Sequence, residues 1–335
     1  MAAPPVSVIV PTYDRPTMLL EALESVATQT HQPSELLVVD DASPEPVAPL
    51  LEANAPGNLE WRCIRHEENQ GANAARNTGI RHASGSILAF LDDDDTWRPA
   101  KLERQVERFR EDPEVGVVLV GQQFVDGDGV ETGVRLPSVG RQATSGLVGT
   151  EVGGTFSTIA VRRSLVDTAG LPDERFPAWQ DREWLVRLSR HAPFATVREP
   201  LVVRRHGEHE QIGDAFEAKR DISYPLFLEK HGSLAKEYGC ERLFRARLAA
   251  AIAGAGLANG HYGDARRFAL KAIRTQPVLS TPYLYLAVAL GGPYGHWGAR
   301  KLNRALGSLT GRSAPNPARA LARLLAPDSR SRSEK

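Results

Sequence analysis

Ile87-Leu88-Ala89-Phe90-Leu91-Asp92-Asp93-Asp94-Asp95-Thr96-Trp97 is the stretch whose reading decides the fold. Its five apolar residues predict a buried strand, because a strand covered on both faces shows no polar alternation. Four adjacent aspartates then end it. Carboxylates this close repel one another, and clustered hard oxygen donors suit Mg²⁺ or Mn²⁺, ions that share their coordination sphere with substrate phosphates. A solvated acidic turn is the plainer alternative, but a position directly after an apolar strand favours the cation site.

Upstream, the pattern alternates between two periods. Residues 6–10 and 36–39 are short apolar runs, 59–65 is a third candidate strand, and helical patterns fill 16–27, 71–83 and 101–110. Pro16 is a favoured first helical residue, and Met18, Leu19, Ala22, Leu23 and Val26 make a helical stripe behind it. Strand–helix alternation of this kind predicts a parallel-type sheet with helices on both faces, and ligands that bind beyond the carboxyl ends of its strands. Pro11 to Asp14, Asp40–Asp41 and the acidic run all stand at such ends.

Downstream the signal weakens. Residues 115–120, 159–161 and 201–205 read as strands, 127–133 as a turn, 138–158 as a loop near a site, and 181–190 as a helix. From about residue 214 the chain turns helical and alanine-rich, and beyond residue 300 it becomes basic.

With 335 residues, 41% of them hydrophobic, the chain can bury one large core or two smaller ones. Its 41 basic and 41 acidic side chains give no overall field to recruit nucleic acid. Cys63 and Cys240 are too few for a disulfide scaffold and read as reduced thiols. The first ten residues lack the basic start of a signal peptide. No run reaches the roughly 18–20 apolar residues that span a bilayer. The expected location is cytoplasmic, with peripheral contact at the inner face of the cell membrane as a further possibility.

Five stretches carry a more specific message: Val6-Ser-Val-Ile-Val-Pro-Thr-Tyr-Asp-Arg15, Leu37-Val-Val-Asp-Asp-Ala-Ser43, Asn69-Gln-Gly-Ala-Asn-Ala-Ala-Arg-Asn-Thr-Gly-Ile80, Phe90-Leu-Asp-Asp-Asp-Asp-Thr-Trp97 and Trp179-Gln-Asp-Arg-Glu-Trp-Leu-Val-Arg-Leu188. In this order they resemble glycosyltransferase family 2, inverting enzymes of the GT-A fold, over roughly residues 6–206. The resemblance implies an α/β, GT-A type (Rossmann-like) mixed, mainly parallel sheet with helices on both faces and a C-terminal helical appendage. It divides the chain into a catalytic domain at 1–213 (donor half to about 112, acceptor half from about 113), a helical region at 214–311 and a basic, disordered tail at 312–335.

It also implies roles. Asp94 is the direct metal ligand, Asp92 a second ligand, and Asp92 or Asp93 reaches the ribose or the metal's waters, while Asp95 caps the following turn. The metal is Mg²⁺ or Mn²⁺, and it neutralises charge as the nucleotide diphosphate departs. Pro11, Tyr13 and Asp41 match nucleoside-binding positions. Arg76 either approaches the donor or ties its helix to Asp40. Asp181 is the expected catalytic base, which takes a proton from the acceptor hydroxyl; as alternatives, it caps its helix or Glu183 serves as base. Gln180 stands where the pattern often has an acid. His206, after Arg204 and Arg205, is a further candidate metal ligand.

The implied partners are a nucleotide-diphosphate sugar, commonly of uridine, and a glycan or lipid-linked acceptor. Tyr283, Leu284, Tyr285 and Leu286, with arginines after them, suit either a helix on a membrane surface or packing on the catalytic domain. Two other readings stay open. A non-catalytic nucleotide-sugar binder would share the fold. A nucleotidyltransferase would normally bring a Gly-rich phosphate loop and a lysine, absent near residues 6–16.

Overall fold

Apolar runs with no polar alternation become the inner strands of one sheet. Strands β1 (Val6–Thr12), β2 (Glu35–Asp40) and β4 (Ile87–Phe90) are buried at every residue, and β3 (Trp61–Arg65) closes their edge half-exposed. These four run parallel, in the order β3-β2-β1-β4. A computed structural model of the chain describes residues 4–57, 59–149, 154–205, 216–295 and Trp297. The basic tail and His206 lie outside these residues.

The other half of the sheet is mixed. It is built from β5 (Asp95–Trp97), β6 (Val117–Val125), β7 (Glu131–Arg135), β8 (Ile159–Arg162) and β9 (Phe194–Arg205), continuing the order as β8-β6-β9-β5, with β7 on β6. Here β8 is antiparallel to β4 and β6, and β5 antiparallel to β9, while β6 and β9 are parallel. The parallel pattern read from the first hundred residues thus stops at β4.

Helices α1 (Pro16–Ala27), α2 (Ala48–Asn54), α3 (Ala72–His82), α4 (Lys101–Glu111), α5 (Ala143–Gly149), α6 (Arg163–Ala169) and α7 (Gln180–Ser189) complete this unit. Alternate residues of β1 and β2 (Val8, Val10, Leu36, Val38) join Leu19, Leu23 and Val26 of α1 and Val106 and Phe109 of α4 in one core. Ile9 of β1 meets α3, which approaches so closely that any side chain at Gly79 would collide with it. That close seat brings Arg76, one turn earlier on α3, to the carboxyl rim of the sheet.

By contact density the chain divides into two units, Met1–Glu210 and Gln211–Lys335. The second consists of α8 (Phe216–Ala218), a π-turn at Lys219–Ser223, α9 (Tyr224–Glu237), α10 (Glu241–Ala258), α11 (Tyr262–Thr275) and α12 (Ser280–Leu290). Tyr285 is buried inside this unit, where the absence of a side chain at Gly254 admits its ring. Tyr283, Leu290 and Tyr294 are exposed.

Candidate active site

The parallel register puts the ends of β1, β2 and β4 on one rim. Thr12 pairs with Asp40 across β1 and β2, and Ile9 with Phe90 across β1 and β4. Pro11 is buried as the last residue but one of β1, and Tyr13, just beyond the strand, is 45% exposed at the rim. Asp41 is turned inward. Its carboxylate accepts the backbone N–H groups of Gln70 (2.9 Å) and Gly71 (2.7 Å) and lies 2.8 Å from His66 Nδ1. In that position Asp41 shapes the turn that starts α3 at Gly71, whose φ is +89°.

The four aspartates part company as the chain turns from β4 into β5. Asp92 faces Arg76 Nη2 at 2.6 Å. Asp93, only 6% exposed, accepts from Thr12 Oγ1 at 2.8 Å and from Arg15 Nη1 at 3.1 Å. Asp94 lies 3.3 Å from the same Arg15 nitrogen. Asp95 is not a turn cap. It is the buried first residue of β5, bonded by Ser157 Oγ at 2.6 Å and Arg204 Nε at 3.2 Å. Arg204 reaches it because the antiparallel register sets it opposite Asp95.

Three guanidinium groups from three elements therefore offset all but one of the four negative charges. The repulsion that the sequence reading assigned to a bound cation is already relieved by the chain itself. Burial and the remaining repulsion still show. Burial pushes the carboxyl of Asp93 up to about 6 despite Arg15 and Thr12. Asp95 is also raised by burial and by Asp94 and Asp92, against the pull of Arg204.

Arg76 does not pair with Asp40, which takes Arg65 and the N–H of Ser43 instead. It is buried, and its Nη1 donates to Asn73 (3.1 Å) and Gln180 (2.9 Å) while its guanidinium lies 3.9 Å from the centre of the Phe156 ring. Through Gln180 it joins the acidic run to α7, so the amide found in place of an acid serves here as acceptor for Arg76.

Asp181 is the second residue of α7. The residue that caps this helix is Trp179, held at φ +61°, so Asp181 is not the cap. Its Oδ1 accepts only the adjacent Arg182 N–H among the bonds seen at its side chain (2.7 Å). Burial raises its carboxyl above the ordinary range, and the charge of Asp92 adds to that, partly countered by Arg182 N–H, Arg204 and Arg76. Asp181 thus feels the charge of Asp92, 89 residues earlier in the chain. Its seat is set by Trp184, one turn on, which packs against Phe90 and Phe156 with ring centres 5.5 and 5.6 Å apart. Glu183, fully buried, is bound by Arg187 at 2.8 Å and is not placed to act as base.

For a divalent ion the fit is good. Oxygens of Asp92, Asp94 and Asp95 can lie within 4.8 Å of one another, a donor set of hard ligands only. Asp93 is not part of that set. Arg15 and Ser157 were missed from sequence. Ser157 holds both Asp95 and the Asp92 N–H (3.1 Å) from the turn at Phe156–Thr158, inside the Ser/Thr-rich stretch read only as a loop.

The mixed, mainly parallel sheet with helices on both faces has the GT-A type fold. The solved structure of residues 1–349 of Staphylococcus aureus TarS, in complex with UDP-GlcNAc, matches it with a TM-score of 0.59 at 18% identity over 92% of each chain. The model of the family described as Glycosyl transferase family 2 matches residues 7–169 of the chain. A Haemophilus influenzae glycosyltransferase is 29% identical over 206 residues, 58% of this chain and 66% of its own length. A Bacillus subtilis protein named for teichuronic acid biosynthesis, TuaG, is 37% identical over 108 residues, 32% of this chain and 43% of its own. The chain thus spans just under two thirds of the first relative and less than half of the second.

Proposed function

We propose that the protein transfers a sugar, with inversion, from a nucleotide-diphosphate sugar to an acceptor hydroxyl, with Asp181 as general base. The observation that carries this reading is the arrangement of Asp181: a carboxylate seated by the aromatic cluster under the acidic run, raised by burial and by the charge of Asp92, and bonded among the described residues to one neighbouring N–H. A base that must take a proton near neutral pH needs such an upward shift.

In this reading Asp94 and Asp92, with Asp95 behind them, hold Mg²⁺ or Mn²⁺. The ion supplies charge neutralisation for the departing diphosphate. Tyr13 offers a ring to stack on the base beside Pro11, Asp41 orders the wall of the nucleoside pocket, and Asp93 and Arg76 line the donor side. The family and the UDP-GlcNAc bound to TarS favour a uridine diphosphate sugar. The kinship with TuaG favours a cell-surface or lipid-linked glycan as acceptor.

Among the described residues no helix is long and apolar enough to cross a membrane. Peripheral contact of the second unit with the inner membrane face is part of the proposal, supported by exposed Tyr283, Leu290 and Tyr294 ahead of the basic stretch that begins at Arg300. Flotation with anionic vesicles tests it, and protein left in the bottom fraction at low salt refutes it. The reaction is tested by donor turnover over a panel of nucleotide sugars, with and without Mn²⁺. Asp181→Asn turning over donor as fast as the unaltered chain would remove the assigned base.

A further inference from the structure

We propose that Arg15 is the resident counter-cation of Asp94, which a divalent ion must displace, and that this contact holds back metal binding until donor arrives. The inference rests on the reading that Asp94 is a metal ligand. It concerns a residue to which neither the motifs nor the relatives assign a task.

The three arginines around the acidic run are not held alike. Arg76 is buried, stacked on Phe156 and bonded to Asn73 and Gln180 besides Asp92, with a contact of 2.6 Å. Arg204 is set by strand register opposite Asp95 and its side chain is only 17% exposed. Arg15 stands at the junction of β1 and α1 with its side chain 28% exposed, the most open of the three, and its contact to Asp94, 3.3 Å, is the longest of the set.

Asp93 gives Arg15 an anchor that does not depend on Asp94, because its other oxygen is fixed by Thr12. An Arg15 that gives up Asp94 therefore keeps its ion pair with Asp93. Asp94, by contrast, belongs to the oxygen set of Asp92, Asp94 and Asp95, which Arg15 partly occupies from one side. A guanidinium and a divalent ion on the same carboxylate repel at close range in a poorly screened cleft. A diphosphate reverses the balance, since a freed guanidinium fork beside it finds phosphate oxygens to bind.

Mn²⁺ binding to the full chain without nucleotide, read from the loss of the free-ion electron paramagnetic resonance signal, tests this. Arg15→Gln removes the charge and keeps a polar side chain, and it should bind Mn²⁺ about tenfold more tightly than the unaltered protein, on the order expected for one nearby charge. Arg15→Lys should stay close to the unaltered value, and Asp94→Asn should abolish binding. If Asp94→Asn abolishes binding but Arg15→Gln binds no more tightly, the counter-cation role is overturned and the metal site stands. If Asp94→Asn leaves binding intact, the metal assignment falls and the inference falls with it. Thermal unfolding of each variant, expected within a few degrees of the unaltered chain, shows that the comparison is made on folded protein.

Discussion

Two groups of buried carboxylates sit at opposite ends of the same parallel strands, and they have opposite fates. At the amino end, Glu35 of β2 accepts from Ser7 Oγ (2.6 Å), from the N–H (2.5 Å) and Oγ (2.8 Å) of Ser84, and from Arg62 (2.6 Å). Burial alone would raise its carboxyl; these donors more than reverse that and hold it at about 2. At the carboxyl end, four aspartates divide three guanidiniums, and burial wins at Asp93, at Asp95 and, further along the chain, at Asp181. The same chemical group is therefore held charged at one end of the sheet, while at the other end it keeps its proton to higher pH. The number of donors aimed at each carboxylate decides between the two.

The largest test of this contrast is Asp181→Asn. Donor turnover in the presence of acceptor should fall about a thousandfold, in the range expected for a lost general base. The melting temperature should hold or rise, because the variant no longer buries a destabilised charge. Next, the activity of the unaltered chain should climb with pH through the raised Asp181 value, so that the acid limb lies above the ordinary carboxylate range. A rate profile that already reaches its plateau near pH 4 would contradict the environment described for this residue.

Ser157→Ala removes one hydroxyl that serves both Asp92 and Asp95. It should raise the Mn²⁺ concentration for half-maximal turnover by about tenfold, the loss typical of a supporting contact one step removed from a metal. Glu35→Gln should do the reverse: donor turnover unchanged, and about 1–3 kcal/mol less stability by denaturant unfolding. The pH windows also differ in sign. Glu35, with its value depressed in the folded state, contributes stability above about pH 4.5 that is lost as pH falls toward 2. Asp93, raised to about 6, binds its proton more tightly when folded, so the metal-free chain loses stability as pH rises from about 4 to 6 at that site.

Much of this could be read from the residues. β1, β2 and β4 are apolar runs with a polar residue at the end, and nothing else in the chain competes with a buried strand there. The strands that escaped notice are short or polar. β5 begins with an aspartate that reads as part of a turn, and the hairpin strand β7, Glu131–Arg135, has no apolar face to reveal it. Most of the candidate site residues were visible because they end a strand or open a helix; Arg76, inside α3, was read from its motif. Two of their partners were not visible: Arg15 and Ser157 meet the acidic run only through tertiary folding, and the argument from repulsion overlooked that the chain could bring its own cations.

The aromatic contact of Trp184 with Phe90 and Phe156 has a consequence for how the molecule comes apart. Phe90 is the last residue of the strand that carries the aspartates, and Phe156 begins the turn whose Ser157 fixes two of them. α7 cannot lift away without opening the packing beneath the acidic run. Loosening of α7 and loosening of the acidic run are then expected as one cooperative event.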